Sequence, residues 1–258
     1  MCMNQKVNKL YDDGQHSVLF FTGLVEGEGI PSNQLIIVDN GEGALFDPGG
    51  ELTFTPLSIE ISKHLGRDSS LKYVFASHQD PDIITSLPRW LLHSECRVVT
   101  SKLWVRFLPH LISNFVSGTM KKSLTDRLIE LPDNGAKVTL GKSHIVAVPA
   151  HFLHSVGNFH FYDPISKILF SGDVGAAATN PGEDHIPVGD MKQHIPLMEG
   201  FHKRYMVSNK ACRLWVERVR KLDVEAMIPQ HGRPFMGKDK VAEFLNWFEN
   251  LQCGVDLM

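Results

Sequence analysis

The chain has 258 residues, 43% of them apolar, and a formal net charge of −3. That is enough apolar side chain for a sizeable core within one large layered domain. The charge balance gives no reason to expect binding to nucleic acid or to an anionic membrane surface, and no apolar run approaches membrane-spanning length. The N-terminus lacks the apolar stretch of a signal peptide. Cys2, Cys96, Cys212 and Cys253 are scattered without a C-x-x-C pair. They read as reduced thiols of a cytoplasmic protein, neither a zinc knuckle nor a disulfide frame.

In chain order, Val18–Phe21 and Gln34–Val38 are β-rich runs, Asp39–Gly43 is a hairpin turn, and Ala44–Asp47 is a returning strand ended by Pro48-Gly49-Gly50. Pro56–His64 has helical spacing. Tyr73–Ala76 reads as a buried strand that leads into Ser77-His78-Gln79-Asp80-Pro81-Asp82-Ile83. A helix is expected over Ile83–His93, kinked at Pro88, then a strand at Arg97–Thr100 and a helix from Ser101 through His110. Alternating strand and helix in this half argue for an α/β layered sheet.

From Leu128 the pattern turns to β, with strands expected at Leu128–Leu131, Val138–Leu140, His144–Val148, Asn158–Tyr162 and Lys167–Phe170. Residues 175–205 are rich in Gly, Pro and Ala and are expected to form a long loop or lid. Helices at Ser208–Leu222 and Val241–Leu251, with a short strand at Met227–Pro229 between them, complete the chain.

The candidate chemistry sits at strand ends. His78, Asp80 and Asp82 fall at every second position, so in extended chain one imidazole and two carboxylates point the same way, making half of a metal site. Three later strands also end in potential ligands: His151 and His154 after Val148, Asp173 after Phe170, and His231 after Ile228. In open sheets, loops at strand ends converge on ligands.

The order H-x-D-x-D, His, Gly-Asp and Pro-x-His-Gly, with the early Leu45-Phe46-Asp47-Pro48-Gly49-Gly50, resembles the metallo-β-lactamase superfamily over nearly the whole chain. Within it, the acidic Asp80 in the middle position resembles the diiron core of flavodiiron proteins and the stand-alone oxygen-binding diiron proteins; the zinc hydrolases carry His there. The resemblance implies an αββα sandwich with a two-metal site at one edge. His78, Asp80 and His154 would hold one metal, Asp82 and His231 the other, and Asp173 would bridge them. His154 fits the family spacing better than His151, while His185 and His194 carry no assignment. A site of three imidazoles and three carboxylates suits iron, with manganese or zinc as alternatives.

Two departures stand out. Asp80 is one methylene shorter than the family's usual Glu. Ile83 replaces a His, and is expected to place an apolar side chain beside an open metal position. No flavodoxin unit of roughly 100–150 residues follows His231, so no FMN is expected in this chain. The expectation is a single domain over 1–258 that binds dioxygen or nitric oxide. It would act as a sensor or as a reductase fed by a redox or signalling partner, and as a homodimer. The alternative is a metal-dependent hydrolase of a small ester, thioester or phosphodiester, with metal-bound hydroxide as nucleophile.

Overall fold

The computed structural model describes residues 7–25, 29–66, 69–120 and 123–258. Cys2 lies outside them. The chain builds two sheets laid face to face. The first has seven strands in sequence order: β1 (Val7–Asp12), β2 (His16–Phe21), β3 (Gln34–Asp39), β4 (Glu42–Phe46), β5 (Ser70–Phe75), β6 (Arg97–Ser101) and β7 (Leu128–Leu131). The second has six strands: β8 (Ala136–Leu140), β9 (Ser143–Pro149), β10 (Phe159–Asp163), β11 (Ile168–Phe170), β12 (Ala226–Ile228) and β13 (Phe235–Met236), again in order. Helices α1 (Glu51–His64), α2 (Pro81–Ile84), α3 (Leu87–His93), α4 (Lys102–Val105) and α5 (Asn114–Thr119) fall between strands of the first sheet. α6 (Met191–Tyr205), α7 (Asn209–Val219) and α8 (Lys238–Phe248) accompany the second.

Three buried clusters show why the layers stack. Between the sheets lie Phe20, Phe46, Phe75, Phe161, Phe170 and Ile228, drawn from both. On the outer face of the first sheet, Phe21, Leu45 and Val74 pack with Leu57, Ile83 and Trp90 of α1, α2 and α3. On the outer face of the second, Leu169 and Met227 pack with Trp215, Phe244 and Phe248 of α7 and α8. Strands covered on both faces need apolar residues at every position, because neighbouring side chains point to opposite faces. Val18-Leu19-Phe20-Phe21 and Leu169-Phe170 are such runs. The result is the expected αββα sandwich.

The expected strands are present with their ends shifted by no more than three residues, and the β3–β4 turn is made by Asn40 and Gly41, both at positive φ (47° and 84°). Three expectations change. The helix expected over Ile83–His93 is split into α2 and α3, each opened by a proline in its first turn. The helix expected through His110 stops at Val105, followed by a 3-10 turn at Leu108–Leu111. The loop expected over 175–205 ends at residue 190, and α6 occupies the rest. Pro196 removes one helical hydrogen bond, but Asp190 caps the start and Met191, His194, Met198 and His202 form a buried stripe that holds the helix down.

Candidate metal centre

β5 ends at Phe75, and the next residues carry the first functional side chains. Asp47, just after β4 and with φ 49°, is fully buried. Its carboxylate accepts the Ser77 amide and the Ser77 hydroxyl, both at 2.7 Å. The Ser77 oxygen in turn accepts the His78 Nδ1 proton at 2.8 Å. With its Nδ1 proton committed to Ser77, His78 turns Nε2 inward, the atom free to take a proton or a metal. Asp80 stands at the start of α2 and makes no side-chain cap, which frees its carboxylate to turn into the same space. Asp82 follows in the first turn.

The second sheet supplies the other half. After β9 the chain makes a tight turn in which Phe152 and His154 both adopt positive φ (65° and 70°). That strained backbone aims the His154 ring at Asp80, with Nε2 to Oδ2 at 2.7 Å. Asp173 follows β11, and His231 follows β12. His231 donates Nδ1–H to the Pro31 carbonyl at 2.7 Å, which again leaves Nε2 free to take a proton or a metal. The following Gly232 (φ 86°) sits so close to Ala177 that a Cβ would lie 2.9 Å from its carbonyl oxygen, so the turn admits only glycine.

All six expected residues therefore face one another, in two groups around Asp173. Its Oδ2 lies 3.8 Å from His78 Nε2 and 3.5 Å from His154 Nε2. Its Oδ1 lies 3.7 Å from His231 Nε2, which is also 3.3 Å from Asp82 Oδ2. The donor atoms of His78, Asp80, His154 and Asp173 lie within 4.8 Å of one another. The shorter Asp80 does reach the cluster. His151 does not: its Nε2 donates to the Asp133 carbonyl at 2.7 Å and its ring edges onto Phe159. His194 packs on Phe235 and belongs to the core side of α6.

The electrostatics fit a cation. Burial opposes a charge on His78, yet Asp173, Asp80 and Asp47 push its pKa up to about 9; burial likewise opposes His231, and Asp82 and Asp173 push it up to about 9. The His154 hydrogen bond at 2.7 Å, with the nearby His78 ring 3.7 Å away, holds the Asp80 carboxyl far below its ordinary range. Burial lifts Asp47 to about 6. Two buried atoms aimed into the cluster, His78 Nε2 and Asp173 Oδ1, have no hydrogen-bond partner among the described residues. A buried polar atom without a partner is costly, and a metal ion held by these residues would satisfy both. The donor set fits such an ion.

Above the cluster lies a cavity of about 490 Å³, walled by Ile30, Ala176–Ala178, Pro196, Leu197, Phe201 and Tyr205. Phe201 and Tyr205 both pack on the His154 ring. Ile83 is not part of this wall: its side chain is fully buried in the outer core with Ile84, Leu87 and Trp90. A residue following Asp82 on α2 points back into the sheet, so the apolar wall comes from α6 instead. Reasoning from the sequence gave no role to Asp47, Ser77, Phe201 or Tyr205. The signal for the first two was present in the Asp-Pro-Gly-Gly and Ser-His strand ends; the aromatic pair lay in a stretch that looked like loop.

The four-layer sandwich, with histidines and carboxylates gathered at its strand ends, defines a metallo-β-lactamase-like domain of the diiron type. The model of the ODP family beta lactamase matches residues 30–232, and the chain belongs to that family. Among solved structures, it is 39% identical to the chemotaxis sensor ODP described as a peroxy diiron species, covering 97% of each chain with a TM-score of 0.82. It is 38% identical to the apo state of the chemotaxis sensor ODP from T. denticola, covering 97% of this chain and 96% of that one, TM-score 0.82. A flavo di-iron protein from Thermotoga maritima shares the fold at 20% identity and a TM-score of 0.71, over 94% of this chain and 60% of that one. No curated protein matches.

Proposed function

We propose that this chain is an oxygen-binding, non-haem diiron sensor. In this reading His78, Asp80 and His154 would hold one iron and Asp82 and His231 the other, with Asp173 between the two groups, and the pair would supply redox chemistry toward a small diatomic, dioxygen or nitric oxide. One observation carries the reading. The atoms left without partners, His78 Nε2 and Asp173 Oδ1, lie among three imidazoles and three carboxylates beneath an apolar cavity. That arrangement occurs in a chain 39% identical, nearly end to end, to an ODP sensor.

The protein's own groups shape what happens there. Asp47 and Ser77 keep His78 in the tautomer that offers Nε2, and the Pro31 carbonyl does the same for His231. Pro196, Leu197 and Phe201 line the cavity with apolar surface, and in the wall above the cluster the Tyr205 hydroxyl alone can donate a proton. Apolar lining of this kind favours holding a diatomic over reducing it, and therefore sensing over turnover. Hydrolysis is not favoured: it needs water and a proton acceptor at the open face, and the relatives at 39% and 38% identity are sensors.

We place all six residues in a single domain over 1–258, working as a cytoplasmic homodimer that passes its signal, or receives electrons, through a protein partner. No helix among the described residues is long and apolar enough to cross a membrane.

The test is metal analysis of anaerobically purified chain, then its absorption spectrum on adding oxygen. About two irons per chain, as a bimetal carboxylate site requires, and a long-lived visible band are expected. Zinc alone, no oxygen-dependent band and brisk hydrolysis of model lactones or bis-phosphodiesters would overturn the proposal.

A further inference from the structure

Cys212 lies on the buried face of α7, and Cys253 in the extended segment after α8, just before a closing 3-10 turn at Gly254–Leu257. Both side chains are fully buried, and their sulfurs are 3.7 Å apart across a separation of 41 residues. The approach is enforced by the surrounding backbone. The Asp256 carboxylate accepts the amide of Asn209 at the start of α7 (2.5 Å) and that of Cys253 (3.1 Å). The Asn209 side chain donates to the carbonyls of Glu249 and Leu251, both at 2.8 Å. The two segments are stapled together around the thiol pair.

We propose that Cys212 and Cys253 are a redox-active dithiol that closes to a disulfide when hydrogen peroxide reaches it. A disulfide needs its sulfurs at about 2.05 Å, so a short sulfur movement, within reach of side-chain rotation, completes the bond. With Cys212 donating its S–H, the Cys253 thiol is held below its ordinary range, and Cys253 is the more readily ionised of the two. Its sulfur attacks the peroxide O–O bond, becoming a sulfenic acid and releasing one water. The Cys212 sulfur then attacks the Cys253 sulfur and displaces the second water. Two thiols and one hydrogen peroxide give one disulfide and two waters. The turn that follows Cys253 exposes Val255, Leu257 and Met258, which puts the thiol pair one turn away from solvent.

The tie has a consequence for the metal-site loop. The Val255 amide donates to the Val207 carbonyl (3.0 Å), and the Val207 amide to the Phe152 carbonyl (3.2 Å). Leu153 pairs with Met206 immediately beside them. The disulfide would therefore fix the strap that carries the turn holding His154. Most buried cysteines are merely small hydrophobes. Cys96 is such a case, its sulfur beside the Trp90 carbonyl, Arg127 and Ser94, and it serves as the internal control. The dithiol needs no iron, so it stands apart from the metal reading.

The experiment treats the reduced full-length chain with hydrogen peroxide, alkylates it, and maps its peptides without reductant. With alkylation carried out in denaturant so that buried thiols react, a linked Cys212–Cys253 peptide is expected, with loss of both thiols, while Cys96 still alkylates. The urea midpoint of the oxidised chain should rise, and Cys212→Ser or Cys253→Ser should each abolish that rise. Free Cys212 and Cys253 after peroxide, oxidation of each alone without a linked peptide, or pairing through Cys2 instead would overturn the proposal.

Discussion

The sandwich carries two clusters of histidine and aspartate, one at each end, and they differ in whether their polar atoms are satisfied. At the end where β2 begins and β3 finishes, His16 lies between the sheets. Its Nδ1 is 2.9 Å from Asp39 of the first sheet and its Nε2 2.8 Å from Asp163 of the second. Both carboxylates have further donors: the Lys142 amide (2.6 Å) and the Asn40 side chain for Asp39, and the Ile165 amide with the Ser166 amide and hydroxyl for Asp163. Every atom of the pairing has a partner. At the opposite end, His78 Nε2 and Asp173 Oδ1 have none, and the cluster opens onto a cavity. A complete cluster of this chemistry is a rivet between sheets; an incomplete one is a receptor for something the chain does not supply.

Removing Asp173 tests the incomplete cluster most severely, because in the proposed site it touches both ions. In Asp173→Ala both irons should be lost, whereas Asp80→Ala should keep at least one. Metal analysis after anaerobic loading separates them, and equal, small losses in both would remove the bridging role.

Next in size is the rivet. His16→Leu leaves Asp39 and Asp163 buried without their shared cation, a loss of about 3 kcal/mol for a broken buried pair. Urea unfolding should show that loss while iron content per folded chain stays at the wild-type level. A drop in iron would mean the two ends are coupled and the distinction fails.

Ser77→Ala should have a smaller effect. It cuts the link between Asp47 and His78 without touching a donor atom of the site, and loss of such an outer hydrogen bond costs about 10-fold in metal affinity. Competition with a chelator measures it; an unchanged affinity would show that the tautomer is held some other way.

The smallest effect is in pH. Burial opposes charging His16, but Asp163 and Asp39 outweigh it, and its pKa is raised above the ordinary 6.5. A group raised on folding adds stability fully below the unfolded pKa and loses it as pH rises through the folded one. The stability advantage of wild type over His16→Asn in metal-free protein should therefore be greatest below 6.5 and shrink as pH climbs above it. A gap that widens with pH would mean His16 is neutral in the folded chain.

Much of the fold was legible because runs such as Val18–Phe21 and Val146–Pro149 have the composition of strands buried on one or both faces, and turns such as Asn40-Gly41 announce themselves. The six site residues were legible because each follows such a run, where an imidazole or carboxylate is out of place. α6 was not: Pro196 and Gly200 argue against a helix, and only the fit of Met191, His194, Met198 and His202 into the core overrides them. β1, six residues with no fully buried position, and β13, two residues long, were missed because edge strands carry weak patterns.

By itself the sequence determined the succession of strands and helices and the strand ends that carry histidine and aspartate, since both depend on local spacing; the choice of His154 over His151 came with the family resemblance. Tertiary structure alone decided which histidines are complete. His16 and His78 are equally polar interruptions near apolar runs, but the second partner of His16 comes from Asp163, 147 residues away, and none comes for His78 Nε2. It likewise turned Ile83 into the core, gave the cavity its wall from α6, and brought Cys212 to Cys253. Each depends on what is packed opposite, and a chain read residue by residue carries no record of its opposite wall.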